Sequence, residues 1–322
     1  MRTVCLAVLC LGLTVPARAQ ELGLMVGGRD KDLAAIAWEL EYKQALSAPV
    51  ALSATWLNEG HLADRRHRDG LALQLWGETP RFGGFSIGIG AGAYTYFSTQ
   101  PGADEGSFIQ QHGTLPVVSL AAAYRPRSPW SVRFVIHHIA PLQDGRTTAY
   151  LLGGGYRFDT PRSGVADSGS TDLPIIPGQH ELTLLAGMAS TNSDKSQSAP
   201  AFALEYRRRF ARFGEAALSY LNEGDTQISR RHGVTGQVFL VREFRRVALG
   251  LGAGGYWATD RPEGAAGRTD LNGLVMLSGA LRLRSQGRLR IALTRVVTGH
   301  ERDSDVIQIG YGYRWGRRQF LP

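Results

Sequence analysis

The residues best suited to chemistry in this chain are two adjacent histidines in the run Ile136-His137-His138-Ile139-Ala140. Imidazole titrates near neutrality, so it is the common general base for a hydroxyl nucleophile and a frequent metal ligand. The run alternates as a β-strand does. The two rings therefore face opposite sides and are not a metal-binding pair. Ser131 and Ser119 lie too far along or on other strands to be assigned to either ring. The second group of interest is basic: His61, Arg65, Arg66, His67 and Arg68 in one segment, and Arg230, Arg231 and His232 in another. Guanidinium forks match phosphate oxygens, which makes Arg65, Arg66, His67, Arg68, Arg230 and Arg231 candidate contacts to anionic lipid. Solvated loop charges are the competing account. Asp303-Ser304-Asp305 is either a weak calcium loop or a set of solvated carboxylates. The Gly-x-Gly runs lie within strands, so no phosphate-cradling loop is read, and neither a metal nor a cofactor is expected.

These residues must be positioned by a framework, and the chain supplies one twice. Leu57-Asn58-Glu59-Gly60 recurs as Leu221-Asn222-Glu223-Gly224, and Leu40-Glu41-Tyr42 as Leu204-Glu205-Tyr206. The ladder Gly88-Gly90-Gly92-Tyr94 returns as Gly250-Gly252-Gly254-Tyr256, and Gly155-Tyr156-Arg157-Phe158 as Gly312-Tyr313-Arg314-Trp315. The order is kept and the offset drifts only between 157 and 164 residues, so this is an internal duplication.

Each copy divides into eight stretches of about ten residues with period-two apolar alternation, the pattern of tilted membrane-spanning strands. They run from 21–28 to 147–158 and from 180–188 to 305–315. In the fifth, Phe85, Ile87, Ile89, Ala91 and Ala93 share one face and Ser86, Gly88, Gly90 and Gly92 the other. Connections alternate long and polar, as at Asn58–His67 and Thr99–Gly113, with short, as at Ala45–Ala48 and Arg125–Pro129. Outer-membrane barrels have long outer loops and short periplasmic turns, whereas a soluble sandwich has no reason to alternate them. Each copy ends on its own aromatic strand, Tyr150 to Phe158 and Ile307 to Trp315. The fold expected is all-β, a transmembrane antiparallel up-and-down arrangement of two tandem eight-stranded barrels, with one sixteen-stranded barrel as the alternative.

The N-terminus reads as a secretory signal over 1–19: Arg2, an apolar stretch from Cys5 to Val15, and the small-x-small site Ala17-Arg18-Ala19. As a membrane anchor it is too short, and Cys10 raises a lipoprotein alternative that the later cleavage site outweighs. Both cysteines lie in this segment, so the mature chain has no thiol for a disulfide or metal site. The expected division is a signal at 1–19, barrels at 20–158 and 180–316, a Ser/Gly/Pro-rich linker at 159–179 and a tail at 317–322. The net charge of +8 drops by two on loss of Arg2 and Arg18. In an exported protein a basic balance serves anionic lipid rather than nucleic acid. The partners expected are outer-membrane lipid, lipopolysaccharide and the outer-membrane assembly machinery, and the location the bacterial outer membrane.

Parity places Glu41, Gln74, Arg133, His137 and Arg157 inside copy one and Glu205, Gln237, Arg290, Thr294 and Arg314 inside copy two. Recurring Glu, Gln and Arg point to a structural network filling the lumen, because buried polar groups must be paired. Asn58-Glu59-Gly60 and its twin read as turns into outer loops.

The eight-strand unit with His137 resembles the lipid A deacylases, the acyloxyacyl-hydrolase-like outer-membrane barrels. The resemblance implies a His-x-Ser pair with a nearby Glu, the histidine acting as base for a serine that attacks an acyl ester. Here Ile139 stands two residues after His137 and Ala140 two after His138, while copy two has Thr294 and Val296 at the positions of His137 and Ile139. The missing serine weighs against an enzyme. The primary expectation is a non-enzymatic structural or lipopolysaccharide-interacting barrel protein; the alternatives are an acyl-ester hydrolase using His137 and a diffusion channel.

Overall fold

The computed structural model describes residues 18–30, 32–61, 67–102, 108–142, 145–158, 178–192, 197–226, 228–244, 246–262, 266–283 and 286–316. Most of the expected signal, most of the linker, the tail, Arg65 and Arg66 lie outside the described residues. The chain divides into two compact units at Asp167/Ser168.

The first unit contains β1 (Arg18–Arg29), β2 (Asp32–Ala45), β3 (Val50–His61), β4 (His67–Glu78), β5 (Phe85–Pro101), β6 (Phe108–Tyr124), β7 (Trp130–Leu142) and β8 (Gly145–Arg157). Each pairs antiparallel with the next, and β8 returns to β1, closing the barrel. The second contains β9 (His180–Thr191), β10 (Gln197–Arg209), β11 (Gly214–Asp225), β12 (Ser229–Phe244), β13 (Val247–Pro262), β14 (Arg268–Arg282), β15 (Gly287–Val297) and β16 (Ser304–Trp315), with β16 pairing to β9. Two closed eight-stranded barrels replace the sixteen-stranded alternative: each copy satisfies its own edges, so neither needs the other to complete its ladder.

The alternation sorts side chains by chemistry, in the reverse of a water-soluble protein. Phe85, Ile87 and Ile89 on β5 are about 60% exposed, as are Leu184 on β9 and Ile307 and Ile309 on β16. Charged groups are enclosed: Glu41, Arg133, His137, Glu181, Glu205 and Arg290 are all 3% exposed or less. All ten residues placed inside by parity are buried. An apolar outer wall around a charged interior, closed without an edge, is the construction of a bacterial outer-membrane β-barrel.

The glycine ladder has a packing cause. The indole of Trp76 lies across β5, and a Cβ on Gly90 would meet its ring atoms at 2.7 Å. In the second barrel Phe239 lies across Gly252 in the same way, at 2.4 Å. Bare backbone makes room for one large inward ring in each lumen.

Asn58-Glu59-Gly60 does not leave the sheet. It forms a bulge within β3, where the register shifts between Asn58 and His61, as it does between Asn222 and Asp225 in β11. Gly60 and Gly224 take φ of 72° and 76°, and each donates its N–H to the Asn carboxamide two residues before, at 2.8 and 2.7 Å. The expected turn is therefore corrected: the extra residue is absorbed as a bulge at the outer rim, with the intervening Glu side chain buried.

Candidate functional site

The inward stripe of β7 carries Arg133 and His137, and the strands across the lumen bring them partners. In barrel one Ser119 of β6 sits directly opposite His137 in register. Its Oγ is 2.6 Å from His137 Nδ1, and Glu39 Oε2 of β2 is 2.6 Å from His137 Nε2. Gln74 on β4 donates from Nε2 to Ser119 Oγ at 2.6 Å. Glu39, Ser119 and His137 are 1 to 2% exposed. Hydroxyl, imidazole and carboxylate in series form the nucleophile–base–orienter arrangement of serine hydrolases. Ser119, unassigned from sequence, is thus joined to His137. The pairing depends on strand register, which puts residues 18 apart in the chain face to face.

Below this series lies a charged layer. Arg133 Nη1 pairs with Glu41, Lys43 Nζ lies 2.6 Å from Glu78 Oε1, and that ammonium sits 3.9 Å above the Trp76 ring. Arg125 pairs with Glu21 and Glu78, each at 3.2 Å. Trp76 Nε1 donates to Ser53 Oγ at 2.9 Å. His138 faces outward, exposed, with Nδ1 3.2 Å from Thr148 Oγ1.

Barrel two keeps the charged layer and lacks the series. The positions of Glu39, Ser119 and His137 hold Ala203, Met276 and Thr294, with Met276 and Thr294 again paired in register. Glu181 takes Arg290 at 2.5 Å and Arg314 at 2.8 Å, while Glu215 takes Arg209 at 2.7 Å. Glu243 is shared by Arg209, Arg282, Arg288 and Arg314 at 3.0 to 3.2 Å. Arg207 repeats the role of Lys43, its guanidinium 3.8 Å from the Phe239 ring. The Trp76–Ser53 bond becomes the apolar pair Phe239 and Ala217. Donor and acceptor are lost together, so neither is left buried and unpaired.

The basic residues expected to meet lipid phosphate divide. Arg68 points into the lumen, where its Nε and Nη2 bind Glu59 at 2.6 and 2.7 Å and Nη2 also binds Thr147 Oγ1 at 2.6 Å. Arg231 is likewise buried against Glu223 at 3.4 Å and donates to the Arg302 carbonyl at 2.6 Å. Both are corrected from surface to interior residues: each follows the parity of its strand, and the bulge opposite turns a carboxylate inward to meet it. His67 is half-buried, with Nε2 3.0 Å from Asn58 Nδ2. Arg230 is exposed.

Asp303, Ser304 and Asp305 serve three separate contacts. Asp303 accepts from the Thr298 N–H at 2.7 Å, Ser304 Oγ donates to Glu223, and Asp305 pairs with Arg295 at 2.7 Å. Among the described residues no cluster of His, Cys, Asp or Glu is arranged for a metal ion. Sequence reasoning did not name Glu39 and left Ser119 unassigned. A signal was present: both differ between the copies at the same time as His137.

No family model matches the chain, and no curated protein matches it. Among solved structures, the N-terminal β-barrel domain of Pseudomonas aeruginosa OprF aligns at 17% identity over 44% of this chain and 98% of its own length, with a TM-score of 0.37. Neisserial surface protein A aligns at 12% identity over 43% and 99%, with a TM-score of 0.36. Ail of Yersinia pestis, solved with a heparin analogue, aligns at 14% identity over 44% and 100%, with a TM-score of 0.32.

Proposed function

We propose that this chain is a non-catalytic outer-membrane protein whose two filled barrels act as rigid stems, presenting their long loops to lipopolysaccharide. The observation supporting this reading is the enclosure of the nucleophile-like series: Ser119 and His137 lie in a lumen packed above and below by Glu59–Arg68 and Glu41–Arg133 ion pairs. An eight-stranded barrel has an interior that side chains alone can fill. Such a plug also opposes a diffusion channel. At the outer rim Arg230 and its cross-strand neighbour Arg261 are exposed and suited to phosphate. The test is incubation of the folded full chain with lipopolysaccharide, following bound lipid and released acyl chains by mass spectrometry. Binding that weakens in Arg230→Gln/Arg261→Gln, with no acyl release, is the expected outcome.

A second reading is favoured by the Ser119–His137–Glu39 geometry itself: an acyl-ester hydrolase with Ser119 as nucleophile, His137 as base and Glu39 orienting the ring. Acyl release that disappears in Ser119→Ala would establish it and displace the first.

A further inference from the structure

The outer walls of the two barrels differ at their short-turn ends. On the second barrel Trp315, His180 and Arg208 stand side by side on β16, β9 and β10, each in register with the next. The His180 ring stacks on Trp315 at 5.8 Å and on Tyr206 at 5.9 Å, and its Nδ1 is 2.6 Å from the Tyr206 hydroxyl. Arg208 is exposed beside this cluster, and Phe210 beyond it is 55% exposed. The adjoining outward positions on these strands, Leu182, Tyr206, Phe210 and Tyr313, include no carboxylate.

The first barrel provides an internal comparison. By the repeat and the matching registers, its equivalents of Trp315, His180 and Arg208 are Phe158, Gln20 and Gln44. There Tyr42 donates to Gln44 Oε1 at 3.2 Å. At these three equivalent positions the first barrel carries no basic residue, whereas the second carries arginine and histidine.

Amphipathic aromatics at strand ends mark the level of the lipid headgroups. An exposed guanidinium at that level, flanked by imidazole and phenol, has the headgroup phosphate as its complementary ligand. Positive charge with no carboxylate at the adjoining described positions favours a lipid of net negative charge over a zwitterionic one, whose own ammonium cancels the attraction. Short turns face the periplasm, so the leaflet concerned is the inner one. We propose that Arg208, His180, Tyr206 and Trp315 form a headgroup site for an anionic glycerophospholipid, carried by the second barrel alone.

The experiment is native mass spectrometry of the folded full chain in detergent, titrated with phosphatidylglycerol or with phosphatidylcholine of the same acyl chains. The wild type is expected to retain phosphatidylglycerol roughly fivefold more strongly, the scale of one basic residue at an anionic surface. Arg208→Gln/His180→Gln, the first-barrel residues placed in the second, is expected to bring the two lipids to parity. Gln44→Arg is expected to add a second phosphatidylglycerol. Equal retention by the wild type, or an undiminished preference in the double variant, would overturn the proposal. So would tighter binding of lipid A by the same residues. Should the double variant not give a folded heat-modifiable band, Arg208→Gln alone and Gln44→Arg carry the same readout.

Discussion

Replacing His137 by Thr, its counterpart in the second barrel, removes the group 2.6 Å from the Glu39 carboxylate and leaves that carboxylate 1% exposed. Removing the partner of a buried carboxyl group costs about 3–5 kcal/mol. Glu39→Ala leaves a ring nitrogen of His137 without its partner instead, at about 1–3 kcal/mol. Ser119→Met drives a longer side chain into a filled lumen, at about 1–3 kcal/mol. Summed, the single changes predict a loss of roughly 5–11 kcal/mol. The triple variant Glu39→Ala/Ser119→Met/His137→Thr recreates the set that the second barrel accommodates as Ala203, Met276 and Thr294. One residue grows while two shrink; carboxylate and imidazole leave together, and what is lost is the Ser119 Oγ acceptor of Gln74 Nε2. Its expected cost is within about 2 kcal/mol of wild type, so the three sites couple by at least about 3 kcal/mol. Urea unfolding of the vesicle-inserted full chain reads this directly. Tryptophan fluorescence reports mainly on the first barrel, which holds Trp38, Trp56, Trp76 and Trp130 against Trp257 and Trp315 in the second. Single losses that simply add up to the triple value would refute the claim that these residues form one unit.

Further outcomes follow from the same structure. Leu184→Arg, on the outer wall at 63% exposure, is expected to cost about 2–4 kcal/mol if it lies near the bilayer midplane, and to slow insertion into vesicles; unchanged folding would contradict a lipid-facing wall. Gly224→Ala places a Cβ 2.4 Å from the Pro200 carbonyl oxygen at φ 76°, so a loss above about 1–2 kcal/mol is expected in the same urea assay. Glu59→Ala leaves the buried Arg68 guanidinium without its carboxylate, with Thr147 Oγ1 still in place, and should cost about 3–5 kcal/mol, while Glu59→Ala/Arg68→Met recovers most of it. In planar bilayers the wild-type chain should show no porin-sized conductance, and steady open channels would overturn the filled-stem reading.

The strand count, the membrane-facing wall and the recurrence of short segments were all legible in the chain. Period-two alternation is a local property, and a repeated segment such as Leu57-Asn58-Glu59-Gly60 is visible without any fold. Parity also sorted Glu41, Arg133, His137 and Arg290 to the interior, because a strand has only two faces. What parity cannot give is height within the barrel or identity across it. Ser119 and Glu39 meet His137 only because strand register and barrel closure bring β6 and β2 to the same level as β7. Arg68 and Arg231 look like loop charges in sequence, yet the tertiary structure turns them inward onto Glu59 and Glu223 at the two bulges. Nor does the chain alone decide between one ring of sixteen strands and two rings of eight, since both satisfy the same alternation. The choice lies in the hydrogen bonds of β8 to β1 and of β16 to β9, which are contacts between residues more than a hundred positions apart.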